Sequence, residues 1–227
     1  MNNLFMQVGP RERAAVPCII GAMKTHRLAA SPATVHWGWF DAALPHVLTV
    51  ESGDRVTIES ISGGPRNLPP EGFTILPEQL EVHAKSPQRM PGHILTGPVG
   101  VKGAMPGDVL EVRVIDVELR QDWGYTAVRP LAGALPDDIE SFEQIHTRID
   151  CAGKVGKLPW GQELALKPFF GVMGVSPPKE WGMISTIEPR VHGGNIDLKH
   201  MVAGSTLYLP VHNEGAGLSV GLSLIHI

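Results

Sequence analysis

Three segments of this chain repeat one device: a turn built on glycine and then aspartate or serine, followed at once by alternating apolar and polar residues. They are Ser52-Gly53-Asp54-Arg55-Val56-Thr57-Ile58-Glu59, Pro106-Gly107-Asp108-Val109-Leu110-Glu111-Val112-Arg113-Val114 and Ala203-Gly204-Ser205-Thr206-Leu207-Tyr208-Leu209. In the first, Val56 and Ile58 face one way and Thr57 and Glu59 the other; in the second, Leu110, Val112 and Val114 oppose Glu111 and Arg113. Strands with one wet face suit antiparallel sheets, and many short strands between Gly and Pro turns predict a sandwich. The expected fold class is all-β, a β-sandwich or jelly-roll-like arrangement with long irregular loops and little helix. Asp54 and Asp108 read as turn residues.

Composition agrees with that reading. The 26 glycines and 20 prolines exceed ordinary usage, but 43% of residues are hydrophobic and the glycines fall between short apolar runs, which favours a turn-rich β protein over disorder. At 227 residues one domain is expected. Nineteen Lys and Arg against 23 Asp and Glu give a net charge of −4 with no basic stripe, so no nucleic-acid partner is expected. No apolar run approaches the roughly 20 residues that span a bilayer, so no membrane partner is expected either. Cys18 and Cys151 form neither a metal-spaced pair nor a disulfide framework, which points to a reducing cytoplasm.

The richest chemistry lies in Pro189-Arg190-Val191-His192-Gly193-Gly194-Asn195-Ile196-Asp197, where an imidazole, a carboxamide and a carboxylate accompany two glycines. Glycines let the backbone approach a ligand closely, so the run reads as the wall of a polar site. With the following Val202-Ala203-Gly204-Ser205-Thr206-Leu207-Tyr208-Leu209-Pro210-Val211 strand, it resembles the acetamidase/formamidase family of amide hydrolases. The resemblance takes in Val35-His36-Trp37-Gly38-Trp39-Phe40-Asp41, Gly92-His93-Ile94-Leu95-Thr96-Gly97-Pro98-Val99, Ala104-Met105-Pro106-Gly107-Asp108 and Pro168-Phe169-Phe170-Gly171-Val172-Met173-Gly174-Val175, in family order from about Met23 to Gly221. It implies a β-sandwich core and hydrolysis of a small aliphatic amide, formamide-like or acetamide-like, to carboxylate and ammonia. A noncatalytic sugar- or metal-binding module and a cyclic-amide hydrolase are the alternatives left open.

Amide hydrolysis requires a polarised carbonyl, a delivered water and a protonated nitrogen leaving group, and a divalent metal can do the first two. His192 and Asp197 have the ligand types for zinc, with His36 as a third ligand from another strand. Asp197, Asn195 and His93 are the expected catalytic residues; Asn195 either donates its amide to the substrate carbonyl or serves as a turn residue. Trp37 and Thr96 are the expected substrate contacts, Thr96 either offering its hydroxyl to the site or fixing its loop by a bond to backbone, with Trp39, Phe169 and Phe170 as further pocket aromatics or core. Segments 62–92 and 121–140 are expected to shape the pocket. Gly217-Leu218-Ser219-Val220-Gly221 matches a nucleophile elbow, but its partners should follow in the chain and only six residues do, so Ser219 is rejected.

Residues 1–22 are expected to be a disordered arm or an over-extended reading frame before a start at Met23, and 23–221 the domain. Ser141 to Arg148 is a candidate short helix; 62–92, rich in Pro and Gly, is expected to be a long loop. Leu222-Ser223-Leu224-Ile225-His226-Ile227 matches the translation of a transposon end used as a sequencing adapter. The expectation is a non-native tail on a truncated, inactive chain whose intact form is a homo-oligomer.

Overall fold

The computed structural model describes residues 2–9, 23–133 and 135–226. In chain order its first strands are β1 (Asn2–Gly9), β2 (Thr25–Leu28), β3 (Val35–Trp37), β4 (Trp39–Phe40), β5 (Leu48–Val50) and β6 (Arg55–Ile58). Helix α1 (Pro77–Lys85) precedes β7 (Ile94–Val101), β8 (Val109–Val117), β9 (Trp123–Val128), β10 (Glu143–Asp150), β11 (Val155–Lys157) and β12 (Glu163–Ala165). The chain continues through β13 (Lys167–Gly174), β14 (Ile184–Ser185), β15 (Gly193–Asn195), β16 (Thr206–Pro210) and β17 (Leu218–His226).

Two large sheets carry the core. One has the order β16-β8-β1-β6-β2; the other runs β15-β13-β17-β7-β3, with β5 also paired to β7. Alternation places Val56, Ile58, Leu110 and Val112 of the first sheet in one apolar cluster with Val99, Phe170, Met173 and Val220 of the second. Two sheets burying one face each against a shared core make the expected all-β sandwich. A separate sheet, β12-β11-β10-β9, and helix α1 lie beyond it. Asp54 and Asp108 are turn residues as expected: Asp54 accepts from the Lys24 and Glu51 amides and the His26 ring, and Asp108 from the Met105 amide.

The structure departs from the sequence reading in five places. Residues 2–9, expected outside the domain, form β1 in the middle of the first sheet, with Leu4 and Met6 fully buried; residues 10–22 lie outside the described residues. The backbone of 222–226, expected to be a tail apart from the domain, extends β17 against Lys167–Phe170. Ser141 to Arg148 is not helical, because Thr147 and Ile149 point inward between exposed Arg148 and Asp150, and that period of two builds β10. The 62–92 segment contains α1, opened by Pro77 at its first position with Glu78 in the first turn and Gln79 and Val82 buried. Glu59, expected on a wet face, is buried one residue beyond β6 and held by Arg27 at 2.5 Å and Arg120 at 3.3 Å.

Candidate active site

Strand β15 brings the polar run to the edge of the second sheet. Gly193 (φ 89°) lies so close to β13 that a Cβ there would meet the Met173 carbonyl oxygen at 2.4 Å, so a side chain would push the two strands apart. After β15 the chain turns at Asp197, in the left-handed region at φ 47°, and the Asp197 amide donates to the Gly171 carbonyl at 3.1 Å. The left-handed residue is therefore Asp197; Asn195 sits in the strand. The Asn195 Nδ2 donates to the Ile187 carbonyl at 3.3 Å, and its Oδ1 is buried without a partner.

His93 reaches the same place from the start of β7. Its backbone N–H donates to Thr186 Oγ1 at 2.8 Å and its Nδ1 lies 3.2 Å from the Thr186 carbonyl. A carbonyl only accepts, so Nδ1 carries the hydrogen and Nε2 keeps its lone pair. Thr186, fully buried, thus fixes both the position and the tautomer of His93, a role no sequence motif announces. Gly92 must precede it, since a Cβ there would meet Thr186 Oγ1 at 2.1 Å.

Burial raises the Asp197 carboxyl above its ordinary range, against a smaller downward pull from His93 and the Asn195 amide. Burial lowers His93, against the upward pull of the Thr186 carbonyl and the Asp197 charge. Asp197 thus holds its proton more tightly than a free carboxyl, and His93 holds its proton less tightly than a free imidazole.

Both groups open on a cavity of about 1200 Å³, walled also by Trp37, Asn195 and residues from 62–92 and 125–133, the two segments expected to shape it. Helix α1 braces that wall: Gln79 Nε2 donates to the Ser62 carbonyl and His83 Nε2 to the Gly63 carbonyl, each at 3.1 Å. The His83 ring lies 5.7 Å from the Trp37 ring.

The other expected site residues are elsewhere. Thr96, fully buried, donates its hydroxyl to the Glu59 carbonyl at 2.7 Å and does not line the cavity. Phe169 and Phe170 are core, and Trp39 lies under the Arg89 guanidinium. His36 and His192 flank Phe40, with ring centroids 6.1 and 4.9 Å from it, and neither lines the cavity. A catalytic zinc ion draws three ligands from protein, whereas no three His, Cys, Asp or Glu side chains gather as a metal site among the described residues. The expected ligands do not converge as a set of three here: Asp197 opens on the cavity, while His36 and His192 lie among aromatic rings with both ring nitrogens of each buried and without a hydrogen-bond partner.

That cluster has a consequence for acid stability. Burial drives His36 down to about 4, against a weaker upward pull from the Gly97 backbone. Burial, then the charges of His212 and Arg190, take His192 to about 4. Between pH 6.5 and 4 the unfolded chain binds these protons and the folded chain does not, so stability falls as pH drops through that window and levels below it. For His36 alone the loss is about 3 kcal/mol. Urea midpoints measured from pH 7 to pH 4 check this: His36→Leu is expected to flatten the slope, and an unchanged slope would remove His36 as its source.

The side chains of Asp197, His93 and Asn195 thus line one cavity on a β-sandwich frame. The chain belongs to the Acetamidase/Formamidase family, whose model matches residues 23–182 and 180–223. It is 31% identical over 180 residues to a formamidase of Methylophilus methylotrophus, covering 57% of this chain and 44% of that protein. It is 27% identical over 189 residues to an acetamidase of Mycolicibacterium smegmatis, covering 58% and 47%. Its fold matches the crystal structure of an acetamidase from Bacillus halodurans with a TM-score of 0.69 at 29% identity, over 86% of this chain and 60% of that one. The chain thus spans about half the length of these two curated relatives. No helix among the described residues is long and apolar enough to cross a membrane.

Proposed function

We propose that this site hydrolyses the C–N bond of a linear amide, with formamide and acetamide as the simplest substrates. The observation that carries the reading is the convergence of His93, Asn195 and Asp197, delivered by β7 and β15, on one cavity. Asp197, an exposed carboxylate at the cavity whose partial desolvation raises its proton affinity, takes a proton from water as the oxygen attacks the amide carbon. That proton passes to the amide nitrogen as the C–N bond breaks, giving ammonia and the carboxylic acid, and the acid then yields its proton to ammonia to leave carboxylate and ammonium. His93 Nε2 accepts the water's other hydrogen and so aims its lone pair. Asn195 acts differently from a donor to the substrate carbonyl: its Nδ2 is engaged by the Ile187 carbonyl, and its amide moderates the proton affinity of the Asp197 base.

The test is ammonia release as a function of pH. Asp197 must be ionised, although desolvation raises its carboxyl, and His93 neutral, which desolvation favours. The rate is therefore expected to rise with pH on an acid limb that belongs to the coupled pair. A rate that does not fall as the medium is acidified would remove the pair from the chemistry.

A further inference from the structure

We propose that the preferred substrate is an amide with a carboxylate at its far end, bound by Arg66 and Arg129 while the amide end meets Asp197. The inference rests on the amide-hydrolysing reading above and names the class of amide. Size is the first argument. Ligand pockets of roughly 300–1,000 Å³ hold drug-sized molecules, and this cavity has about 1200 Å³, so acetamide would leave most of it to water.

Charge is the second. Arg66 and Arg129 both line the cavity. Arg27, Arg113, Arg120 and Arg148 are held in ion pairs, and Arg89 and Arg190 lie over tryptophan rings. Arg66 and Arg129 have no such partner among the described residues, in a chain of net charge −4 that has acidic groups to spare. An arginine fork pairs a carboxylate through two parallel hydrogen bonds, which neutral amides cannot exploit.

Placement is the third. Both arginines come to the cavity lining from elements other than the one that carries Asp197. Arg129 follows β9, and Arg66 lies on the short turn Pro65–Asn67. Asn67 ties that turn to the sheet of β9 and β10, donating to Gln144 Oε1 at 2.9 Å and accepting the Gly64 amide at 2.9 Å. The cavity lining thus takes its carboxylate from the turn after β15 and its two arginines from the end of β9 and the turn tied to the β9–β10 sheet. A molecule with one carboxylate and one amide fits it in a single direction, because reversal would set carboxylate against Asp197.

The experiment compares binding of succinamate with that of butyramide, a neutral amide of nearly the same size, by calorimetry at low salt. Succinamate is expected to bind at least tenfold tighter, and Arg66→Gln and Arg129→Gln are each expected to weaken it about fivefold while leaving butyramide unchanged. Added salt should erode the preference. Equal affinity for the two amides, or a preference untouched by both variants, overturns the inference. Ammonia is assayed in the same samples: release from butyramide without a succinamate preference overturns the anionic substrate and leaves the amidase reading standing. Tight, arginine-dependent succinamate binding without ammonia from any amide supports the arginine subsite and counts against hydrolysis.

Discussion

Asp197→Asn is expected to lower kcat/KM for acetamide about a thousandfold, the middle of the range for losing a positioned general base. The substitution keeps the shape and the backbone turn, since Asn tolerates the left-handed φ of 47° at this position as well as Asp does. What it removes is the capacity to take a proton from water. The loss should fall on kcat, because the cavity walls that bind substrate are unchanged. Stability should move the other way. A carboxyl whose folded pKa is raised contributes stability only at low pH and loses it as pH rises, so the ionised Asp197 destabilises the fold at neutral pH. Asp197→Asn is therefore expected to melt no lower than the parent at pH 7, the pattern of a group retained for chemistry at the expense of stability. Activity within tenfold of the parent would remove Asp197 as the base.

Part of this site was legible in the chain and part was not, for physical reasons. The Gly-Gly-Asn-Ile-Asp run showed that backbone and polar groups converge, and Asn195 and Asp197 do line the cavity with His93 and Trp37. His192, two residues upstream of Gly194, carried the same signal and lies instead against Phe40, fully buried. Side-chain type cannot tell a ligand from a histidine enclosed by rings; only the direction of the strand does. Thr186 was out of reach because its partner is 93 residues away and its bonds use one hydroxyl and one carbonyl. Strands with strict alternation, β6 and β8, were readable. Helix α1 was hidden by the prolines around it, although Pro77 and Glu78 together are a helix start.

A chain beginning at Met23 is expected not to fold. Strand β1 pairs with β8 along its whole length and with β6 through residues 2–5, and Met6 also closes on the Gly53–Asp54 turn, where the Gly53 amide donates to its carbonyl at 2.8 Å. Leu4 and Met6 are fully buried between the sheets. Truncating a buried Leu or Met to Ala costs about 2–5 kcal/mol, and whole domains are stable by only about 5–15 kcal/mol. Removing the strand takes away both side chains and leaves the inner edges of β6 and β8 facing a gap, with unpaired amides and carbonyls. Leu4→Ala should lower the urea midpoint without abolishing the transition, and the Met23 chain should show no cooperative transition. Adding a synthetic peptide of residues 2–9 to that chain should restore structure, since an extended segment can enter a sheet through main-chain hydrogen bonds. A Met23 chain that melts with the parent midpoint would show that β1 adds nothing to the sheet. The matched family span begins at residue 23, so it includes β6 and β8 but not the strand between them. The middle of the first sheet therefore depends on residues whose only sequence signal is Leu4, Met6 and Val8 alternating with Phe5 and Gln7, a period of two in a segment too short to stand out.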